Sequence, residues 1–177
     1  YGDGGAILTD DDDLAEQLRS LRTHGGGKDK YDNVHIGVNS RLDTIQAAVL
    51  NSKLPILRDE IEARGKVAMR YNDALQEAVK TPRIFNDAVS AWAQYTVRVS
   101  NRDAAAAELK SLGIPTAVYY PKPLHQQQAY TSYPVANGGL PISEQLAGEV
   151  LSLPMHPYLG DPVQQRIVDG VRNVVSI

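Results

Sequence analysis

The chain has 177 residues, a formal net charge of −3 and no cysteine. This length allows a sizeable core or one domain with part of another, and the missing cysteine excludes disulfides, thiolate metal sites and a cysteine nucleophile. Because the chain shows no long basic run, no apolar run near the ~18 residues of a membrane span and no signal peptide, we expect no nucleic-acid partner, no membrane contact and a cytoplasmic location.

The N-terminal segments predict a strand, a helix and a loop. Residues 6–8 form an apolar run that predicts a buried strand, and since five preceding residues supply no neighbouring strand, we expect a fragment. Residues 11–23 predict an amphipathic helix, because acidic residues lie at its start and basic residues at its end. His24 and three glycines then open a flexible active-site or interface loop to about Val38, in which His35 is expected to be structural.

Residues 37–50 pass from a polar loop into a helix with one apolar face. Ser40 or Asp43 can cap this helix, because a short side-chain oxygen accepts a hydrogen bond from a first-turn N–H. Asn39 and Arg41 ahead of a helix N-terminus can bind a phosphate or carboxylate. An ordinary capped surface helix carries the same residue types, so the local sequence leaves both interpretations open.

Pro55 suits the start of a new helix, and the apolar residues that follow recur at helical spacing to about Val79. This pattern predicts a long helix joining two domains, followed by a polar connector over residues 81–90. Beyond the connector, alternation and glycine or proline signals predict two strands and two helices: strands at 92–100 and 115–120, and helices at 102–112 and from Asp161 onward. This order predicts an α/β domain with helices covering a small sheet.

Two later segments carry groups that can bind a ligand. Tyr119 and Tyr120 lie where the second of these strands enters a proline-rich turn, and their phenols can bind a polyhydroxylated or carboxylated ligand or simply pack. Pro154 and Pro157 fix the backbone on both sides of Met155-His156, which suits a positioned histidine and equally suits a rigid turn.

Residues 39–48, Asn-Ser-Arg-Leu-Asp-x-x-Gln-Ala-Ala, resemble the signature of the DegT/StrS-type sugar-nucleotide aminotransferases, PLP enzymes with the aspartate-aminotransferase fold. Three further stretches resemble that family: the opening Tyr-Gly-Asp-Gly-Gly, residues 116–125, in which Tyr119 stands where many members have His, and residues 153–159, Leu-Pro-Met-His-Pro-Tyr-Leu.

The resemblance implies an α/β fold of type I in three parts. Residues 1–54 would end the large PLP-binding domain, residues 55–80 would form the connecting helix, and residues 81–177 would form the small C-terminal domain. An N-terminal half would then be missing from this chain.

The resemblance also implies PLP as the cofactor of the parent enzyme. Asn39 would contact the PLP phosphate of the neighbouring subunit in a homodimer formed through residues 24–50. Four side chains would bind the substrate: Arg41, Tyr119, Tyr120 and His156. The family's lysine that forms the Schiff base with PLP would precede Tyr1, so we expect no catalytic residue in this chain, and alone it should neither hold PLP nor transaminate.

The implied reaction moves an amino group from an amino acid, with glutamate the expected donor, to a keto group on a nucleotide-linked sugar. The pattern is closest to members that act on UDP-2-acetamido-2-deoxy-3-oxo-glucuronate for surface-polysaccharide and lipopolysaccharide synthesis, with Arg41 facing the sugar carboxylate. Two alternatives stay open: a PLP- or PMP-dependent sugar dehydratase of the same fold, and a non-catalytic module that keeps the scaffold.

Overall fold

The computed structural model describes residues 2–29 and 31–175, so Tyr1 of the opening motif lies outside the described residues. The chain divides into two compact units, residues 1–57 and 58–177. The domain boundaries given above, after residues 54 and 80, stay predictions. Over the described residues, no helix has both the length and the hydrophobicity that a bilayer crossing requires.

The first unit contains helices α1 (Asp12–Arg22) and α2 (Thr44–Lys53) and a short 3-10 turn at Leu54–Ile56. The helix predicted at 11–23 is confirmed. It begins where the Asp11 side chain accepts a hydrogen bond from the Leu14 N–H at 2.9 Å. Neither α1 nor α2 buries a residue.

The strand predicted at residues 6–8 is wrong. These residues belong to no regular element, and Ile7 and Leu8 are exposed. A strand is stabilised by hydrogen bonds to a neighbouring strand, and no described residue pairs with this segment. The apolar residues predicted for the helix that starts near Leu42 are exposed in this chain: Leu42, Ile45 and Leu50.

Among its described residues, the second unit contains four α-helices and two strands: α3 (Leu57–Leu75, which begins at the last residue of the first unit), β1 (Tyr95–Arg98), α4 (Arg102–Ser111), α5 (Pro141–Glu149), β2 (Val150–Leu153) and α6 (Asp161–Val175). Two short 3-10 helices, Leu124–Gln126 and Gln128–Tyr130, lie between α4 and α5. The long helix, the first strand and the helices α4 and α6 are confirmed, although α3 ends four residues before Val79. Residues 81–90 contain no helix or strand, and their role as a domain boundary stays a prediction. Helix α5 and strand β2 were not predicted.

The two strands form an antiparallel sheet in which Tyr95 lies opposite Leu153 and Val97 opposite Leu151. The strand predicted at 115–120 is wrong, because only Ala117 pairs with the sheet, through a bridge to Ser152. The flanking Pro115 lacks the N–H that a ladder requires.

The core of this unit lies between one face of α3, the sheet, α4 and α6. Residues of α3 spaced by about one helical turn are buried: Val67, Ala68, Tyr71 and Leu75. The ring of Tyr71 stacks on that of Tyr95 with centroids 4.8 Å apart. The arrangement agrees with the predicted small α/β domain.

The hydrogen bonds of Glu149 lead us to expect a pH dependence of this unit's stability. Its carboxylate accepts hydrogen bonds from Gln145 at 2.7 Å and Arg98 at 2.8 Å, and these donors hold the pKa of Glu149 below its usual value of 4.5. Because the folded pKa is depressed, the contribution is present above the unfolded value and is lost as the pH falls through the folded one.

We therefore expect the urea concentration at the unfolding midpoint to decrease as the pH is lowered from about 7 to about 3. In the Glu149→Gln variant this decrease should be smaller. Glu62→Gln, at an exposed position of α3, is the matched control and should leave the pH dependence unchanged. Equal pH dependence in wild type and Glu149→Gln would contradict the assignment.

Candidate functional site

The loop between α1 and α2 is held by a close approach of its own backbone. Gly25 has a φ of +76°, and its carbonyl accepts hydrogen bonds from the N–H groups of Val34 at 2.8 Å and His35 at 3.1 Å. A Cβ on Gly25 would overlap the carbonyl oxygen of His35. His35 itself faces Ser20, with 3.0 Å between Nδ1 and the serine Oγ, which agrees with the structural role predicted for it.

The same loop returns along the C-terminal end of α1 before it enters α2. The N–H of Val38 donates to Leu21 O at 2.8 Å, and the N–H of Ser40 donates to Arg22 O at 2.9 Å. These bonds satisfy carbonyl groups that have no partner within the helix. They also fix the backbone on both sides of Asn39.

Asn39 and Arg41 lie together on the surface of the first unit. Arg41 Nε donates to Asn39 Oδ1 at 3.3 Å, and both side chains are exposed. Asp43, and not Ser40, caps α2, forming a capping box with Gln46. Amide and guanidinium N–H groups are donors for a phosphate or carboxylate oxygen, so this pair suits the predicted anion site.

Tyr119 and Tyr120 lie in the second unit, with their rings in edge contact at a centroid distance of 5.7 Å. They border a cavity of about 970 Å³. Its lining also includes His125, at the end of the segment 116–125, and three residues that were not singled out from the sequence: Tyr130, Tyr133 and Lys122. The recurrence of tyrosine between residues 119 and 133 is the signal that could have indicated them.

His156 lies exposed in the turn between β2 and α6. Its Nδ1 accepts a hydrogen bond from the backbone N–H of Tyr158 at 3.2 Å, and its carbonyl accepts one from Leu159 N–H at 3.3 Å. The hydroxyl of Tyr158 donates to Glu60 Oε1 at 2.7 Å. Glu60 was not singled out from the sequence. It lies two helical turns before Val67 on the apolar face of α3, and an acidic residue at such a position is unusual and could have indicated a specific contact.

The predicted site residues therefore form separate groups. Asn39 and Arg41 are in contact within the first unit, and the two tyrosines are in contact within the second. Tyr119 also borders a cavity of about 350 Å³ together with Met155, the neighbour of His156. The roles of these residues in binding stay predictions.

Comparison with known proteins gives the family. The family model described as the DegT/DnrJ/EryC1/StrS aminotransferase family matches residues 1–172. This chain belongs to that family.

Two curated relatives illustrate the likeness. The UDP-2-acetamido-2-deoxy-3-oxo-D-glucuronate aminotransferase of Pseudomonas aeruginosa is 48% identical over 160 residues, which cover 90% of this chain and 44% of the relative. The pleiotropic regulatory protein of Geobacillus stearothermophilus is 46% identical over 175 residues, which cover 97% of this chain and 47% of the relative. The chain thus spans about half the length of the curated relatives it matches.

Solved structures show the same likeness. A DegT DnrJ EryC1 StrS aminotransferase from Brucella abortus matches with a TM-score of 0.93 at 55% identity, over 100% of this chain and 48% of that one. DesV of S. venezuelae matches with a TM-score of 0.86 at 37% identity, over 96% of this chain and 46% of that one. The predicted family and the predicted fold class are confirmed.

The cofactor of the family is PLP. The donors of Asn39 and Arg41 fit its phosphate group, because an amide and a guanidinium both donate to anionic oxygens. The chain therefore offers side-chain donors that suit a phosphate contact. That the lysine which binds PLP lies outside this chain stays a prediction.

Proposed function

We propose that this chain acts as part of a PLP-dependent enzyme that transfers an amino group from an amino acid to a keto group of a nucleotide-linked sugar. The observation that carries this proposal is the 48% identity, over 90% of this chain, to the UDP-2-acetamido-2-deoxy-3-oxo-D-glucuronate aminotransferase. By this likeness we propose a UDP-linked 3-keto uronate as the substrate and glutamate as the donor.

In this proposal the Asn39 amide donates to the phosphate of PLP held by a neighbouring subunit, and Arg41 binds the sugar carboxylate. Two observations support these roles: both side chains are exposed, and the backbone that carries them is fixed to the end of α1. When bound, PLP supplies the electron sink on which amino transfer depends. Residues of this chain would position the cofactor and the substrate, and Tyr119, Tyr120 and His156 would contact the substrate.

We also propose that the enzyme is a homodimer formed through residues 24–50. This region exposes large apolar side chains: Val34, Ile36, Val38, Ile45 and Leu50. Apolar side chains grouped on a surface are typical of a protein interface. Light scattering of the full-length gene product should give a dimer when PLP is bound, and a PLP-loaded monomer would contradict the proposal.

The reaction itself is tested with the full-length gene product, glutamate and a UDP-linked 3-keto uronate, with the aminated sugar detected by mass spectrometry. Residues 1–177 expressed alone should produce none and should not show the absorbance of lysine-bound PLP. A dehydrated sugar in place of an aminated one would favour the dehydratase alternative.

A non-catalytic role is the second candidate, favoured by the 46% identity over 97% of this chain to a protein named as a pleiotropic regulator. This alternative expects the full-length gene product to aminate no keto sugar. Formation of aminated product at a rate that depends on glutamate would exclude it.

Asn39→Ala in the full-length gene product should weaken PLP binding about tenfold or more. A hydrogen bond to a charged group contributes ~1.5–3 kcal/mol, and a loss of about 1.4 kcal/mol is tenfold in affinity. Asn51→Ala is the matched control, since Asn51 is an exposed asparagine on α2. PLP titration followed by absorbance measures both, and unchanged affinity in Asn39→Ala would reject the phosphate contact.

A further inference from the structure

The turn that carries His156 is tied to helix α3 at several points. Four side-chain hydrogen bonds join α3 to residues 154–164: Tyr71 Oη to Pro154 O at 3.0 Å, Tyr158 Oη to Glu60 Oε1 at 2.7 Å, Arg70 Nη2 to Leu159 O at 3.3 Å, and Gln164 Nε2 to Val67 O at 2.7 Å. Each bond joins residues that are far apart in sequence, and the bonded residues of the turn lie both before and after His156. Helix α3 therefore holds the backbone of the turn from one end to the other.

The hydrogen bond from Tyr158 determines how the imidazole of His156 is protonated. The backbone N–H of Tyr158 donates to His156 Nδ1 at 3.2 Å. A backbone N–H can only donate, so Nδ1 must accept, and in a neutral imidazole the proton then lies on Nε2. The exposed His156 thus presents an N–H donor at Nε2.

The hydroxyl of Tyr158 ties its side chain to helix α3. The Tyr158 side chain is largely exposed, and its hydroxyl donates to Glu60 Oε1. Glu60 is buried and is also paired with Arg64, at 3.8 Å between Oε2 and Nη2. The carboxylate is therefore a fixed acceptor that anchors Tyr158, and with it the N–H that faces His156.

We propose that Glu60 and Tyr158 are positioning residues that hold His156 as the Nε2–H tautomer, so that His156 offers a fixed donor to an acceptor oxygen of the substrate, in a carboxylate, phosphate or keto group. The substrate part rests on the proposed function, in which His156 contacts the sugar nucleotide. The tautomer part rests on the geometry of the turn alone.

The tautomer is measured by ¹⁵N NMR of the imidazoles in the full-length gene product labelled with ¹⁵N-histidine, near pH 8.5, well above the ordinary histidine pKa of about 6.5. His156→Gln identifies the signals of His156. We expect the pattern of a protonated Nε2 and an unprotonated Nδ1 in the wild type. A protonated Nδ1 would overturn the proposal.

Tyr158→Phe keeps the ring and removes the hydroxyl, so His156 should show a mixture of tautomers, and KM for the keto sugar should rise about five- to tenfold. Glu60→Gln keeps an acceptor oxygen and should behave like the wild type, whereas Glu60→Ala should behave like Tyr158→Phe. Glu62→Ala, at an exposed position of α3, is the matched control for Glu60→Ala and should leave both the tautomer and KM unchanged.

A wild-type tautomer pattern in both Tyr158→Phe and Glu60→Ala would overturn the positioning role. A changed tautomer with unchanged KM would overturn the substrate contact. If the full-length gene product aminates no keto sugar, the proposed function and the substrate contact fail together, and the NMR patterns still decide the positioning role.

Discussion

Tyr71→Ala should lower the free energy of unfolding of the second unit by about 3–5 kcal/mol, the range for removing a large buried aromatic side chain. Tyr71 is fully buried, stacks on Tyr95 and donates its hydroxyl to Pro154 O. Its loss therefore removes a core ring and one of the hydrogen bonds that hold the His156 turn. Urea unfolding followed by circular dichroism measures the change.

Two variants separate the ring from the hydroxyl. Tyr71→Phe keeps the stacking and leaves the Pro154 carbonyl without this donor, so it should cost about 1–3 kcal/mol. Tyr133→Phe, at an exposed tyrosine, should change the unfolding free energy by less than about 0.5 kcal/mol. A Tyr71→Ala protein within about 1 kcal/mol of the wild type would show that α3 does not organise this core.

Gly25→Ala should destabilise the loop between α1 and α2 by about 2–5 kcal/mol. A left-handed conformation costs an L-residue ~1–2 kcal/mol, and forcing a methyl group into a filled space costs ~1–3 kcal/mol more. Gly25 has a φ of +76°, and its Cβ would overlap the backbone of His35, which cannot move away like the end of a flexible side chain. The loop must rearrange, and it carries Asn39.

We therefore expect Gly25→Ala in the full-length gene product to weaken PLP binding at least as much as Asn39→Ala, together with a lower melting temperature. Gly65→Ala is the matched control. A Cβ there meets no atom within 4 Å, and alanine inside a helix stabilises by about 0.5–1 kcal/mol relative to glycine. Wild-type PLP affinity in Gly25→Ala would show that the geometry of this loop does not position the cofactor contact.

Apart from strand β1, the elements predicted correctly are helices, whose signals lie in residues close together in the chain. Helix α1 was indicated by the acidic residues at its start and the basic residues at its end, and the start of α2 by Ser40 or Asp43, of which Asp43 is the cap. Caps act over three or four positions, so their signals are local. The errors, at residues 6–8 and 115–120, concern strands, whose formation depends on partners distant in sequence.

The candidate site divides in the same way. Asn39, Arg41, Tyr119, Tyr120 and His156 were identified because they lie in short motifs, each readable without knowledge of distant residues. Glu60 was not identified, because its contact with Tyr158 joins positions 98 residues apart. The assignment of the protonated ring nitrogen of His156 also required the three-dimensional structure of the turn.

The sequence by itself determined the family, the capped helices and the residues that carry the candidate phosphate and substrate contacts, because motifs and caps are local arrangements of side chains. Only the tertiary structure decided which strands pair, that the apolar face of α2 is exposed, and that α3 anchors the His156 turn. Those features depend on burial and hydrogen bonds between distant segments, which no local pattern contains.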